Sequence, residues 1–126
     1  MSIPVELEGL AGAIADRSST PYLLTSDDFG RPHAVSIVLG WQDAQLVGGC
    51  GRSSGRNASA RPAVSLLWPP DEPGGYSLIV DADAEVIGED DERRIVLDPT
   101  HAVLHRPAAN PDPDADCGHD CAPVLN

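Results

Sequence analysis

The sequence predicts a mainly β protein: a small antiparallel barrel, closed or split, of six to seven strands with one N-terminal helix and one short helix after the third strand. Two observations support this prediction. Short apolar runs with alternating side chains recur along the chain between turn residues, and only two segments have the spacing of a helix. At 126 residues the chain is long enough for one domain with a real core, and too short for two.

The composition is acidic and contains no lysine. Eight arginines face 20 acidic residues, and the formal net charge is −12. A surface of this charge repels nucleic acid and anionic membranes, so we expect neither as a partner. No apolar run approaches the roughly 20 residues of a membrane-spanning helix. Three cysteines are too few for a secreted disulfide framework, so we expect a cytoplasmic protein.

The first half of the chain is predicted to form a helix and three strands. Apolar residues at i, i+3 and i+4 predict an amphipathic helix over residues 3–17, capped by Ser2. Strands are expected over residues 21–26, 33–41 and 46–50. Along the second of these strands, large side chains share one face and small side chains the other, which leaves room for a flat ligand.

The second half is predicted to add a short helix and the remaining strands. The helix is expected over residues 52–60, with Ser53 or Ser54 as its cap. The strands follow over residues 63–68, 76–86, 93–97 and 102–105, the last two forming one bent strand or two. Proline, aspartate and alanine then dominate, so we expect a domain over residues 1–106 and a tail over 107–126, extended or docked on something else.

The glycine-rich turn before the short helix has the chemistry of a phosphate site. It places two arginines and two serines beside exposed backbone amides at a helix start, which is what a phosphate group needs. The candidate contacts are Arg52, Ser53, Ser54 and Arg56. A solvated helix start whose serines only cap it explains the same spacing. Arg61, beside Pro62 at the helix end, is expected to be structural.

Three stretches of the sequence resemble a known family. They are Gly30-Arg31-Pro32-His33, the residues around the short helix (Arg56-Asn57 and Arg61-Pro62-Ala63-Val64-Ser65-Leu66), and Val80-Asp81-Ala82-Asp83-Ala84-Glu85-Val86. These stretches resemble the pyridoxamine 5′-phosphate oxidase-like flavin-binding split barrels, including the branch that uses the deazaflavin F420. The similarity covers roughly residues 5–106 in the order of elements.

The resemblance implies a homodimer with two cofactor sites at the subunit interface. The cofactor would be FMN, or alternatively F420, and the activity that of an oxidoreductase acting on a small organic substrate. In the family, the turn and helix start hold the phosphate, and the backbone of the second strand lies along the ring system. Carried onto this chain, the cofactor-binding residues are Val35, Ser36, Ile37, Cys50, Arg52, Ser53, Ser54, Arg56 and Asn57.

Two positions depart from the family's pattern. Ser54 stands where members that hold FMN firmly usually have a lysine, and a neutral hydrogen bond is roughly half as strong as a charge-assisted one. Ala82 replaces the usual glycine of the long strand and narrows the space beneath it. These departures favour weaker FMN binding or a different cofactor. A cofactor-, haem- or metal-binding module without turnover, and a barrel that has lost its cofactor, are the alternatives.

No catalytic residue is assigned from the sequence. It shows neither a Ser-His-Asp order nor paired carboxylates in a pocket-like context, so the flavin would carry the hydride. Tyr22, His33 and Ser36 are the candidates for a proton donor near the ring.

The tail carries a small cluster of potential ligands, Cys117, His119 and Cys121. Cysteine and histidine are common ligands of zinc, iron and haem. The two cysteines can also close a small disulfide, or stay reduced without a role. Because a structural zinc site needs a second pair of ligands, we predict no metal site, and haem or zinc is a less favoured cofactor than a flavin.

Overall fold

The computed structural model describes residues 1–108, which form eight strands and two helices. The strands are β1 (Ser2–Pro4), β2 (Tyr22–Ser26), β3 (Pro32–Ser36), β4 (Gly40–Gln42), β5 (Gln45–Gly49), β6 (Ala63–Trp68), β7 (Ser77–Ile87) and β8 (Arg94–His105). The helices are α1 (Leu10–Ala15) and α2 (Arg52–Ala60), and two 3₁₀ turns lie at Leu7–Gly9 and Asp90–Glu92. No helix within residues 1–108 is long and apolar enough to cross a membrane. The cluster of Cys117, His119 and Cys121 lies outside the described residues.

All eight strands pair antiparallel in one sheet of order β3-β2-β6-β7-β8-β5-β4, with β1 added on β8. The long last strand is its centre, because β8 pairs with β7 on one edge and with both β5 and β1 on the other. Its register shifts opposite Asp81 and Ala82, which leaves Thr100 as an extra residue in a bulge. The predicted mainly β class with two helices is confirmed, with eight strands instead of six or seven.

The core lies on the inner face of the sheet, which α1 and α2 pack against. On β6 and β7 burial alternates as predicted: Val64, Leu66, Trp68, Leu78, Val80 and Ala82 are buried. Each fully buried leucine contributes about 1.5–3 kcal/mol to folding. The buried indole of Trp68 donates from Nε1 to the carbonyl of Ser18 at 2.8 Å, so this polar group keeps a partner.

The N-terminal prediction is wrong in its first part. Residues predicted as helix over 3–17 instead begin with β1, and the helix is limited to Leu10–Ala15. Gly9 and Gly12 weaken a long helix by about 1 kcal/mol each, while the edge of β8 offers β1 backbone partners. Ser2 caps no helix, and its hydroxyl lies 3.1 Å from Nδ1 of His105.

One strand prediction is also corrected, and the structure decides between the two alternatives for the last strand. The segment predicted as one strand over 33–41 divides into β3 and β4, because residues 37 and 39 turn toward the preceding loop. There the Ile37 N–H donates to the carbonyl of Pro21 at 2.9 Å, and the Leu39 N–H to that of Ser19 at 3.1 Å. At the end of the domain, where one bent strand or two were predicted, the structure has one strand, β8, with a bulge at Thr100.

Candidate functional site

The glycine turn leads directly from β5 into α2. Gly51 is the N-cap of α2, with φ −77° and ψ 175°, and no side chain bonds to the cap. The predicted capping role of Ser53 or Ser54 is therefore wrong, because α2 already begins at Arg52. The first amides of α2 carry no side-chain cap, and an uncapped helix start of this kind accepts an anion well.

Close backbone approach explains the first of the two glycines that end β5. A Cβ at Gly48 would overlap the carbonyl oxygen of Val38, whereas a Cβ at Gly49 would meet nothing nearer than the carbonyl of Arg93 at 3.8 Å. Glycine at position 48 thus lets the segment after β3 lie directly against β5. The candidate ring-binding strand and the glycine turn are joined through this contact.

Positive charge gathers at the start of α2. Arg52 and Arg56 are exposed, and their i, i+4 spacing places them on one face of the helix. Ser53 is also exposed, between them. The predicted phosphate contacts Arg52, Ser53 and Arg56 therefore all face solvent around the helix start.

Arg93 joins this group and was missed from the sequence. It lies just before β8, and a Cβ built on Gly55 would come within 2.6 Å of its Cδ and 3.2 Å of its Nε. The side chain of Arg93 thus crosses the first turns of α2 in a space that only glycine leaves open. The signal available in the sequence was the glycine inside a short helix, together with an arginine pair at the start of the last strand.

An open groove of about 520 Å³ runs past this helix start. Its lining includes Gly51, Arg52, Asp90, Asp91 and Arg93. The two carboxylates repel an anion, so they weaken the attraction of this groove for a phosphate.

Cys50 lies in the same groove and is half-buried. Burial raises the pKa of its thiol, and the nearby charge of Arg93 opposes that rise. The thiol is therefore protonated at neutral pH, and it offers a phosphate a weak donor and no charge.

Ser54 and Asn57 are each only 3% exposed, on the inner face of α2. The side-chain amide of Asn57 donates to the hydroxyl of Thr25 at 3.1 Å. The structure thus gives Asn57 a structural role, and cofactor binding by Ser54 and Asn57 stays a prediction. A buried serine at position 54 supplies neither the charge nor the reach of the lysine usual in the resembled family.

Arg61, at the end of α2, is structural as expected. Its Nε donates to the carbonyl of Ser26 at 2.8 Å, and its Nη2 lies 3.0 Å from the carboxylate of Asp28. These bonds tie the end of α2 to the turn that follows β2.

The outer edge of β3 is open within residues 1–108, because β3 pairs there with β2 alone. The Asp27 N–H donates to the carbonyl of Arg31, and the Ile37 N–H to that of Pro21. Since hydrogen-bonded and non-hydrogen-bonded pairs alternate in an antiparallel ladder, Ala34 and Ser36 direct their N–H and C=O groups to the open edge. Of the predicted ring contacts, Val35 and Ile37 turn their side chains into the core and Ser36 turns outward.

Two of the three candidate proton donors lie together. Tyr22 is paired directly with Ser36 across β2 and β3, and both are exposed. In such a non-hydrogen-bonded pair the Cβ atoms are about 4.5–5.5 Å apart. His33 points to the opposite face, half-buried, and its Nδ1 is buried without a partner in the described residues.

Tyr22 also begins a row of apolar side chains across the outer face of the sheet. The strand register pairs Tyr22 with Leu67, Leu67 with Ile79, and Ile79 with Val103. None of these four is fully buried. We call Tyr22, Leu67, Ile79 and Val103 the outer apolar row, and it begins one strand away from the open edge of β3.

Potential metal ligands do not converge in the described part of the chain. Residues 1–108 contain no group of three or more His, Cys, Asp or Glu side chains arranged to hold an ion.

This antiparallel sheet with its glycine turn before α2 is a split barrel of the pyridoxamine 5′-phosphate oxidase-like fold, as the sequence predicted. A “Putative Pyridoxamine 5'-phosphate oxidase” from Listeria innocua superposes with a TM-score of 0.63 at 20% identity, over 79% of this chain and 98% of that chain. An F420 reductase superposes with a TM-score of 0.57 at 20% identity, over 71% of this chain and 93% of that chain. The haem storage protein HutZ from Vibrio cholerae superposes with a TM-score of 0.60 at 18% identity, over 79% of this chain and 94% of that chain.

Two relatives are similar in sequence as well. The chain is 40% identical, over 135 aligned positions, to uncharacterized protein Mb0449c of Mycobacterium bovis and to uncharacterized protein MT0457 of Mycobacterium tuberculosis. Each alignment covers 93% of this chain and 92% of the relative. The chain belongs to the same family as these two mycobacterial proteins. A scan against models of protein families finds no match.

Proposed function

We propose that the protein is a flavin- or deazaflavin-dependent oxidoreductase that acts on a small organic substrate. FMN is the first candidate cofactor and F420 the alternative. The observation that carries this proposal is the start of α2, where an uncapped helix terminus meets two exposed arginines one turn apart and a third from outside the helix. The fold supports it, because proteins named for pyridoxamine 5′-phosphate oxidation and for F420 share it.

The residues at this helix start fit a phosphate group. Arg52, Arg56 and Arg93 can each donate a charge-assisted hydrogen bond, and Ser53 a neutral one. The amides that follow Gly51 add the positive end of the helix dipole. The carboxylates of Asp90 and Asp91 in the groove and the burial of Ser54 oppose this fit, so we expect a phosphate site weaker than one with a lysine at position 54.

The open edge of β3 suits the ring of the cofactor. Ala34 and Ser36 present backbone donors and acceptors that a planar heterocycle with polar edges can pair with, as another strand would. A bound flavin or deazaflavin supplies hydride transfer, and the protein supplies position and shielding from water. The hydroxyls of Tyr22 and Ser36 lie beside this edge, where either can hold a proton for the reaction.

A homodimer with cofactor sites at its interface is part of this proposal. The outer apolar row leaves four apolar side chains partly exposed on one sheet face, and a second copy would remove them from water. Because this row begins beside the open edge, the same contact would place the second chain against the ring. We also place the protein in the cytoplasm, on its cysteine count and acidic composition.

Titration of the purified protein with FMN and F420 tests the proposal. Arg52→Ala and Arg56→Ala should each weaken binding by about 1.5–3 kcal/mol, the usual contribution of a hydrogen bond to a charged group. Arg94→Ala is the matched control, since Arg94 is exposed and its neighbour Arg93 is the residue that crosses α2. Unchanged affinity in both α2 variants would show that the phosphate binds somewhere other than the start of α2. A protein that binds neither cofactor would contradict the proposal.

The second candidate is a haem-binding module without redox turnover. It is favoured by the shared fold of the haem storage protein HutZ and by the missing charge at position 54. An absorption spectrum separates the two candidates. A Soret band after hemin titration, without binding of FMN or F420, would favour the haem module, whereas flavin or deazaflavin bands would favour the oxidoreductase.

A further inference from the structure

A groove opens where β8 changes partners. On one edge of β8, residues 94–97 pair with β5 and residues 103–105 pair with β1. Between these two ladders, the Val5 N–H donates to the carbonyl of Ala102 at 2.9 Å. Glu6, the 3₁₀ turn at Leu7–Gly9 and α1 follow Val5, and Leu7 and Leu10 line the groove together with Asp98 and Pro99 of β8. The groove therefore lies at the edge of β8 between its pairing with β5 and its pairing with β1.

The groove is apolar and of ligand size. Its volume is about 570 Å³, and its walls include Leu7, Leu10, Trp41, Pro99, Asp43 and Asp98. A second cavity of about 260 Å³ adjoins it through Trp41 and Ala11 and reaches the buried Trp68. Small-molecule sites typically enclose about 300–1,000 Å³ with mostly apolar walls and a few polar groups, and this groove meets that description.

Two carboxylates are the charged groups of the groove. Asp43 and Asp98 are exposed, and within the part of the chain that the structure describes neither carboxylate has a hydrogen-bond or salt-bridge partner. Arg17 in the adjoining cavity does not neutralise them, because its guanidinium donates to the carbonyls of Trp68 at 3.4 Å and Tyr76 at 3.0 Å. The groove is thus complementary to a cation.

Trp41 adds a second reason to expect a cation. Its side chain is 39% exposed in the wall shared by both cavities. An indole face attracts an organic ammonium group by cation–π interaction and also packs against an apolar body. A ligand with both parts satisfies the aromatic wall and the carboxylates at the same time.

We propose that this groove binds a small amphiphilic organic cation, with its apolar body against Leu10 and Trp41 and its ammonium group at Asp43 and Asp98. The site is separate from the proposed cofactor site. Strand β5 runs from Gln45 near this groove to Gly49 at the glycine turn, about 13 Å along an extended strand. None of the predicted cofactor-binding residues lines the groove, so binding here does not depend on a flavin.

Three probes with the same ring test the charge preference: cyclohexylmethylamine, cyclohexylmethanol and cyclohexanecarboxylate. Binding is followed by the NMR shift of the Trp41 indole N–H in the full chain. Each exposed ion pair is worth a factor of about 2 to 5, so the amine should bind about 4- to 25-fold more tightly than the alcohol at low salt. The carboxylate should bind more weakly than the alcohol. Equal binding of all three probes, or no shift with any of them, would overturn the proposal.

Charge-removing variants locate the ammonium group. Asp43→Asn and Asp98→Asn should each lower the affinity for the amine about 2- to 5-fold, and the double variant should bind amine and alcohol equally. Asparagine tolerates the φ of 56° at position 43, so the turn should survive. Asp71→Asn, at an exposed carboxylate in another loop, is the control and should change nothing.

A persistent amine preference in the double variant would overturn the proposal. So would a concentration-dependent dimer that protects Trp41 and excludes all three probes, because the groove would then be a contact between copies of the chain.

Discussion

The side-chain amide of Asn57 donates a 3.1 Å hydrogen bond to the hydroxyl of Thr25, and both residues are buried. This bond joins α2 to β2 at the inner face of the sheet. It lies one turn and a half beyond Arg52, so it sets the position of the helix start that carries the candidate phosphate contacts. The structure thus gives Asn57 a part in holding this helix, and its contact with a cofactor stays a prediction.

Loss of this bond should destabilise the fold. Asn57→Ala leaves the hydroxyl of Thr25 buried without its donor, and Thr25→Val leaves the side-chain amide of Asn57 buried without its acceptor. Each substitution should lower the free energy of unfolding by about 1–3 kcal/mol. Ser59→Ala, on the exposed side of the same helix, is the control and should stay within about 0.5 kcal/mol. Urea denaturation measures all three variants. A double variant that costs the full sum of the single variants would show that the two side chains are not coupled.

The two glycines that end β5 should respond differently to the same added methyl group. Gly48→Ala drives a Cβ into the carbonyl oxygen of Val38, and overpacking of this kind costs about 1–3 kcal/mol. Gly49→Ala places its Cβ at an ordinary contact distance of 3.8 Å, so it should be much milder. Thermal unfolding of the two variants is the measurement. Equal melting temperatures would mean that β5 and the segment after β3 are not as close as described.

The turn after β2 should be sensitive to acid through Asp27. The backbone N–H of Arg31 donates to this carboxylate at 2.8 Å and holds its pKa below the ordinary 3.8, with partial desolvation opposing and the Phe29 N–H adding to the effect. A pKa lowered by folding adds stability above pH 3.8, and this stability is lost as the pH falls through the folded value. The stability gap between wild type and Asp27→Ala should therefore be wider at pH 6 than at pH 3.

Carbon-detected NMR titration gives an independent measure for the Asp27 carboxyl group. A midpoint at or above 3.8 would contradict the predicted direction. Asp71→Ala is the stability control and should stay within about 0.5 kcal/mol of wild type at both pH values.

Cys50 should react slowly with alkylating reagents. Burial raises the pKa of its thiol above 9.0, with the charge of Arg93 as a weaker opposing effect, so little thiolate is present at pH 8. In a Cys117→Ser, Cys121→Ser background, iodoacetamide should modify the folded protein several-fold more slowly than the urea-unfolded protein. Equal rates in the two states would show that the thiol is neither buried nor shifted.

Local patterns made much of the fold predictable. The bounds of α2 and β6 are those expected from the sequence, because glycines precede the helix, Pro62 separates it from the strand, and Pro69 follows the strand. Strand β7 agrees to within a residue at each end, since its alternation continues for eleven residues. The grouping of Arg52 and Arg56 at the start of α2 could also be predicted, because the two arginines lie close together in the sequence.

What the sequence did not reveal depends on contacts between distant residues. β1 has no apolar alternation of its own and exists through its pairing with the end of β8. The break between β3 and β4 follows from bonds to Pro21 and Ser19. Arg93 reaches the start of α2 because β8 pairs with β5, which leads into that helix. No spacing of residues along the chain predicts this contact.

The central position of β8 has a consequence for how the protein is made. This strand is the last of the described elements to leave the ribosome, yet β7, β5 and β1 all pair with it. Until residue 105 has emerged, three segments of nascent chain keep unpaired edges, and the domain has no way to close as it is synthesised. Completion of the fold is therefore a late step of long loop closures, and of the three waiting strands only β7 carries acidic side chains, Asp81, Asp83 and Glu85, that oppose pairing with other chains in the meantime.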